Sequence, residues 1–141
     1  GRGGLTWIAS GSMVHAALRA AESWPDSSVW SVPCIKPLDA DTVATICGKS
    51  RAVIVLEEHS IYGGLGSAVA EISAERAPTR VLRIGIQDRF SQFCGSYNYL
   101  MAEHQLTVPD IVRKATEYLA SFDGEANEPI ALPRTIRRSA A

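Results

Sequence analysis

Val53-Ile54-Val55-Leu56-Glu57-Glu58-His59-Ser60-Ile61-Tyr62-Gly63-Gly64-Leu65-Gly66-Ser67-Ala68-Val69-Ala70-Glu71 is the stretch whose reading decides the fold. It opens on an unbroken apolar run rich in β-branched residues, which suits a parallel strand covered on both faces. Glycines then let the backbone approach a neighbour closely, and Leu65, Ala68, Val69 and Ile72 recur at helical spacing. A helix that starts in such a turn favours an anion or a carboxylate at its N-terminus. Strand, glycine turn and helix together make half of a βαβ unit, and the strand's C-terminal end is where open α/β sheets place ligands.

The same alternation extends both ways. Leu5 to Ser10 reads as the first strand, with Gly11 and the N-cap candidate Ser12 after it. Val14, Ala17, Leu18, Ala21 and Trp24 then predict the apolar stripe of a helix that Pro25-Asp26 stops. Ser28 to Val32 is the second strand, and Asp39 or Asp41 caps a short helix that runs through Ile46 and ends at Gly48. Ala52 to Leu56 is the third strand. Pro78 closes the helix after the glycine turn, and Val81 to Ile86 is the fourth strand. Gln87 to Gln105 is a long connection with one helical segment around Tyr97 to Met101. Thr107 and Asp110 form a capping pattern ahead of a helix carrying Ile111, Val112, Ala115, Leu119 and Phe122. Strands alternating with helices imply right-handed crossovers and a three-layer α/β/α architecture, with a mostly parallel sheet of four to five strands. The folded domain is expected over 1–122, with a polar, mobile tail over 123–141.

Composition narrows the function classes. The chain has 141 residues, one domain's worth, with 46% hydrophobic and 21% charged residues and a formal net charge of -1. Neither a basic run nor a positive balance points to nucleic acid or an anionic membrane. No apolar run approaches the roughly 20 residues that span a bilayer. Cys34, Cys47 and Cys94 lie far apart with no C-x-x-C pair, which suits a reduced, cytoplasmic setting. Gly1-Arg2-Gly3-Gly4 reads as a junction or the middle of a loop, so the chain is read as a fragment of something larger.

Several motifs suggest chemistry and fail when tested. Gly48-Lys49-Ser50 is the tail of a phosphate loop, but Val43 stands where its first glycine belongs, and the tripeptide follows a helix rather than a strand. Gly64-Leu65-Gly66 begins a dinucleotide fingerprint whose third small residue is replaced by Val69; Arg83 and Ile84 stand where the ribose-binding acid belongs. Glu57, Glu58 and His59 are a candidate acid/base cluster; the favoured alternative is that they fix the Gly63 to Ser67 turn or pair with another chain. His15 is placed on a helix surface and His104 in a loop beside Glu103, and no paired spacing suggests a metal. No nucleophile elbow occurs. Phe90, Phe93, Tyr97 and Tyr99 form an aromatic cluster read as core or interface packing.

Four segments in order resemble the C-terminal domain of transketolase and its thiamine-diphosphate-dependent relatives. These are Ser10-Gly11-Ser12-Met13-Val14 with Ala17, Leu18 and Ala21; Ile35-Lys36-Pro37-Leu38-Asp39; Val55 to His59 with Gly63 to Glu71; and Arg83-Ile84-Gly85 with Asp88, Phe90 and Gly95, leading to Leu106 and Ile111. The resemblance spans Leu5 to Leu119. It implies a three-layer fold to which family members usually add an antiparallel edge strand, missing or truncated here. It also implies that thiamine diphosphate and magnesium are held by other domains, whose Gly-Asp-Gly motif does not occur in this chain, and that this domain supplies no catalytic, cofactor-binding or metal-ligating residue. Glu57-Glu58-His59 with Gly63-Gly64-Leu65-Gly66 looks most like transketolases, including the C-terminal subunits of split bacterial enzymes. Trp24, Trp30, Cys34 and the tail residues Arg134, Arg137 and Arg138 depart from the pattern and leave the substrate open.

The resemblance therefore implies a structural and dimerisation domain of an enzyme that moves two-carbon ketol units between sugar phosphates, inert alone. Its implied partners are the other transketolase domains or subunit, in a homodimer, with neither nucleic acid nor membrane. Alternatives are the C-terminal domain of a deoxyxylulose-phosphate synthase, a 2-oxoacid dehydrogenase β-subunit that docks an acyl carrier, or a stand-alone anion-binding regulatory module. Glu58, His59, Gly63, Gly64, Gly66 and Ser67 are the candidate interface or anion site.

Overall fold

In the computed structural model, which describes residues 3–123, alternate positions of the central strand divide the core in two. β1 (Gly3–Ala9), β2 (Ser28–Ser31), β3 (Ser50–Ser60) and β4 (Arg80–Ile86) form one parallel sheet in the order β2-β1-β3-β4. The helices are α1 (Met13–Ala21), α2 (Ala40–Lys49), α3 (Leu65–Arg76), α4 (Tyr97–Glu103) and α5 (Val108–Asp123). Leu5, Trp7, Ala9, Ala52, Ile54, Leu56 and Ile84 face α1 and α5, where Met13, Ala17, Ala20, Ile111 and Ala115 meet them. Ile8, Val53 and Val55 face α2 and α3, against Val43, Ile46, Cys47, Leu65 and Val69. β3 lies between β1 and β4, so Ala52 to Leu56 is covered on both faces and wholly buried, as its continuous apolar run requires.

The sheet is the expected α/β/α arrangement, with four parallel strands and no antiparallel edge strand among the described residues. Residues 124–141, and with them Arg134, Arg137, Arg138 and nearly all of the expected tail, lie outside the described residues. Gly3 and Gly4, read as loop, open β1 instead; a Cβ on Gly4 would stand 2.5 Å from the Asp26 carbonyl, so this strand start needs a residue without one.

Local expectations held where the signal was a cap or a buried run, and shifted elsewhere. Asp39 caps α2 by accepting from the Thr42 amide at 3.0 Å, and Thr107 accepts from the Asp110 amide at the start of α5. Ser12 caps nothing through its side chain, which turns to Glu58. The inward face of α1 is Met13, Ala17 and Ala20, leaving Leu18 half exposed. Trp24 lies past the end of that helix, yet its ring packs on Trp7 with centroids 5.6 Å apart. Gly48 does not end α2. The helix runs through Lys49 directly into β3, and the Ser50 hydroxyl closes it by donating to the Ile46 carbonyl at 2.7 Å.

Candidate functional site

β3 outlasts its apolar run because its charged residues are part of the strand. Between the pairs Leu56↔Ile84 and Ser60↔Ile86 the strand carries more residues than β4, a bulge that holds Glu57, Glu58 and His59. The bulge presses on Gly85, where a Cβ would stand 2.7 Å from the His59 carbonyl and 3.2 Å from Glu57 Cγ.

Glu57 continues the series Val53, Val55 on the face toward α3, and the residue is 2% exposed. A buried carboxylate is costly unless hydrogen-bonded. Its partners are the first amides of α3: Leu65 N–H donates to Oε2 and Gly66 N–H to Oε1, each at 2.8 Å. The negative charge therefore lies where the helix dipole is positive and the end amides have no helical acceptor. The glycines make the room. A Cβ on Gly64 would be 2.0 Å from Glu57 Oε2, and one on Gly66 would meet Glu57 Oε1 at 3.0 Å and Arg83 Cγ at 2.9 Å. Gly63 serves differently, with a φ of +74° and open space around it. Ser67 locks the turn by donating to the Ile61 carbonyl at 3.0 Å and accepting from the Gly63 amide at 3.0 Å; Arg83 adds a bond to the same carbonyl at 2.8 Å.

Glu58 alternates to the other side and is exposed. It accepts from the Ser12 hydroxyl at the start of α1 and from the Tyr97 hydroxyl of α4 at 2.9 Å, tying three segments together. His59 is mostly exposed, and its Nδ1 lies 2.9 Å from the Ser60 carbonyl. A carbonyl only accepts, so that nitrogen carries the hydrogen; it also stands 4.0 Å from Glu57 Oε2. Glu58, His59, Gly63 and Gly64 line one concavity of about 440 Å³ with Ile35 and Ser10 to Ser12, while Gly66 and Ser67 lie behind it in the first turn of α3.

Two groups read as peripheral prove to hold the long connection. Glu103 accepts from the Gln92 amide at 2.7 Å and from Arg89 at 3.2 Å, and these donors, the amide first, hold its carboxyl below the usual carboxylate range. His104 is buried at the end of α4 rather than lying in an open loop, with Nε2 2.8 Å from the Ser91 hydroxyl. The aromatics of this connection are not core: Phe90, Phe93, Tyr97 and Tyr99 are all exposed.

Of the two readings of Glu57, the acid/base cluster and the fixing of the Gly63 to Ser67 turn, the bonds to the Leu65 and Gly66 amides favour the second, whereas sequence reasoning missed Gly85 and Arg83 as parts of the site. Period-two alternation from Val53 carries the signal for Glu57, since it places the carboxylate on the inward face. The arrangement offers little to a reaction. Both oxygens of Glu57 are committed to amides and Glu58 is shared by two hydroxyls. Among the described residues no group of three His, Cys, Asp or Glu could hold a metal. A diphosphate does not fit the glycine turn, because the two amides it would take are bonded to a carboxylate of the same sign. Nor is any described helix long and apolar enough to cross a membrane.

A protein-family model described as "Transketolase, C-terminal domain" matches residues 3–113. The chain is 39% identical over 119 residues to a 6-deoxy-6-sulfo-D-fructose transketolase subunit of Clostridium sp. (strain MSTE9), covering 82% of this chain and 37% of that protein. It is 39% identical over 110 residues to a 1-deoxy-D-xylulose-5-phosphate synthase of Dechloromonas aromatica, covering 77% of this chain and 18% of that protein. A solved structure described as a split gene transketolase, inactive beta4 tetramer, superposes with a TM-score of 0.75 at 32% identity over 85% of this chain and 40% of its own. The chain thus spans less than half the length of each of these relatives.

Proposed function

The chain belongs to the transketolase C-terminal domain family, and on that premise we propose that it is a structural and dimerisation domain, without catalytic groups of its own. The enzyme it completes transfers two-carbon ketol units between sugar phosphates. The observation that carries this reading is Glu57: the glycine turn that would receive an anion is closed from within by a buried carboxylate on the Leu65 and Gly66 amides. Thiamine diphosphate and magnesium belong, in this reading, to the remaining transketolase portion, in the same polypeptide or a partner subunit. The small share of each relative that the chain covers supports that division. The assembled enzyme is a homodimer in the cytoplasm, a setting that the three free cysteines suit.

Calorimetry tests the reading. Titrating the chain alone with thiamine diphosphate and magnesium is expected to give no saturable heat, and micromolar binding would contradict it. The equal identity to a 1-deoxy-D-xylulose-5-phosphate synthase supports a second reading, in which the completed enzyme makes that product. Assaying the completed enzyme for 1-deoxy-D-xylulose 5-phosphate against ketol exchange between sugar phosphates separates the two.

A further inference from the structure

Exposed apolar residues concentrate at one end of this molecule. Ile35 follows β2, Tyr62 follows β3, and Phe90, Phe93, Tyr97 and Tyr99 lie in the connection that leaves β4. All six therefore stand beyond the C-terminal ends of the strands. Phe90 is 96% exposed and Phe93 65%. An aromatic side chain offers roughly 150–250 Å², so at these exposures the five aromatics present on the order of 600 Å² to solvent. That sum approaches the ~800 Å² that one side of a standard interface buries.

The polar centre of this end indicates what covers it. Glu58 is held by the Ser12 and Tyr97 hydroxyls, so its carboxylate keeps a fixed position without a cation against it among the described residues. Arg89, the nearby cation of the β4 connection, is already bound to Glu103. Pairing two copies of this face would bring two Glu58 carboxylates into one interface, and added like charge there opposes association. A different surface, bringing an arginine or lysine among apolar side chains, satisfies both the area and the charge. Arginine fits best, since it can bond Glu58 while stacking on Tyr97.

We propose that this end is the docking face for the remaining transketolase portion, which presents a basic residue to Glu58 inside a ring of apolar contacts with Phe90, Phe93 and their neighbours. This rests on the assembly role proposed above. The connection from β4 suits docking, because the Glu103 and His104 bonds fix its backbone while its aromatic side chains point outward. The dimer contact between copies then lies elsewhere in the assembled enzyme.

The test measures affinity between this chain and the remaining portion by sedimentation at several salt concentrations, with Phe90→Ser, Glu58→Gln and, as a control on the far side of α1, Leu18→Ser. Phe90→Ser is expected to weaken association at least tenfold. Glu58→Gln should weaken it similarly and flatten its salt dependence, and Leu18→Ser should change nothing. Circular dichroism melting confirms that each variant is folded; all three sites are exposed. Undiminished affinity in Phe90→Ser and Glu58→Gln overturns the docking face and leaves the assembly role standing. A homodimer of the isolated chain that Phe90→Ser dissociates overturns the choice of occupant. No association in any form overturns the assembly role, and the docking with it.

Discussion

Glu57 is the residue on which the site turns, because it serves two elements at once. It ends the buried face of β3 and supplies the acceptors for the first amides of α3. Glu57→Ala leaves two buried N–H groups without partners and opens a cavity, so it is expected to cost on the order of 3 kcal/mol in a urea melt. Glu57→Gln keeps one acceptor and should cost less. Gly64→Ala should be comparably damaging, through a clash with the same carboxylate at 2.0 Å. Its cost should shrink in a Glu57→Ala background, the non-additivity expected of groups in contact. Gly63→Ala meets open space and only the strain of its positive φ, about 1 kcal/mol. Equal losses at the two glycines would show that the carboxylate is not what Gly64 makes room for.

At the scale of elements, the β4 connection and α4 are joined by Glu103. Hydrogen bonds from the Gln92 amide and Arg89 lower its folded pKa, so its stabilising contribution is full above its ordinary value of 4.5 and is lost as pH falls through the lowered folded value. Hydrogen exchange at the Gln92 amide is therefore expected to accelerate selectively below pH 4.5, and Glu103→Gln should remove that dependence. The elements read correctly from sequence are those whose signals are local. Val53 to Leu56 is apolar throughout because both faces are covered, and Asp39 bonds an amide three residues on. What failed depended on distant partners. Ser12 looks like a cap until its hydroxyl meets Glu58, 46 residues along the chain. Leu18 matches an apolar stripe, but docking against the sheet and α5 turns the smaller Ala17 and Ala20 inward. Gly48 resembles a helix end, yet Ser50 provides the closing bond as the chain enters β3. Of the site, the glycine turn and a turn-fixing role for the Glu57-Glu58-His59 run were legible; the particular amides that Glu57 takes were not, because they are brought to it only when α3 packs back on β3.

Across the whole molecule, the two core layers set which groups solvent can reach. Burial pushes the Cys47 thiol up, and its side chain lies between α2 and the sheet. Cys34 and Cys94 are exposed. Dithionitrobenzoate at neutral pH is therefore expected to label those two cysteines at once and Cys47 only as the domain opens, at a rate that rises in Glu57→Ala. Prompt labelling of Cys47 would mean that the α2 layer is not closed. The same division separates stability from assembly: substitutions around Glu57 should lower the melting temperature, whereas those at Phe90 should not. The proposed role, a non-catalytic domain that completes an enzyme, is tested most directly by following ketol transfer by the remaining transketolase portion as this chain is titrated in. No turnover by the chain alone and a saturable rise in activity on mixing are expected. Turnover by the chain alone, or full activity of the remaining portion without it, would contradict that role.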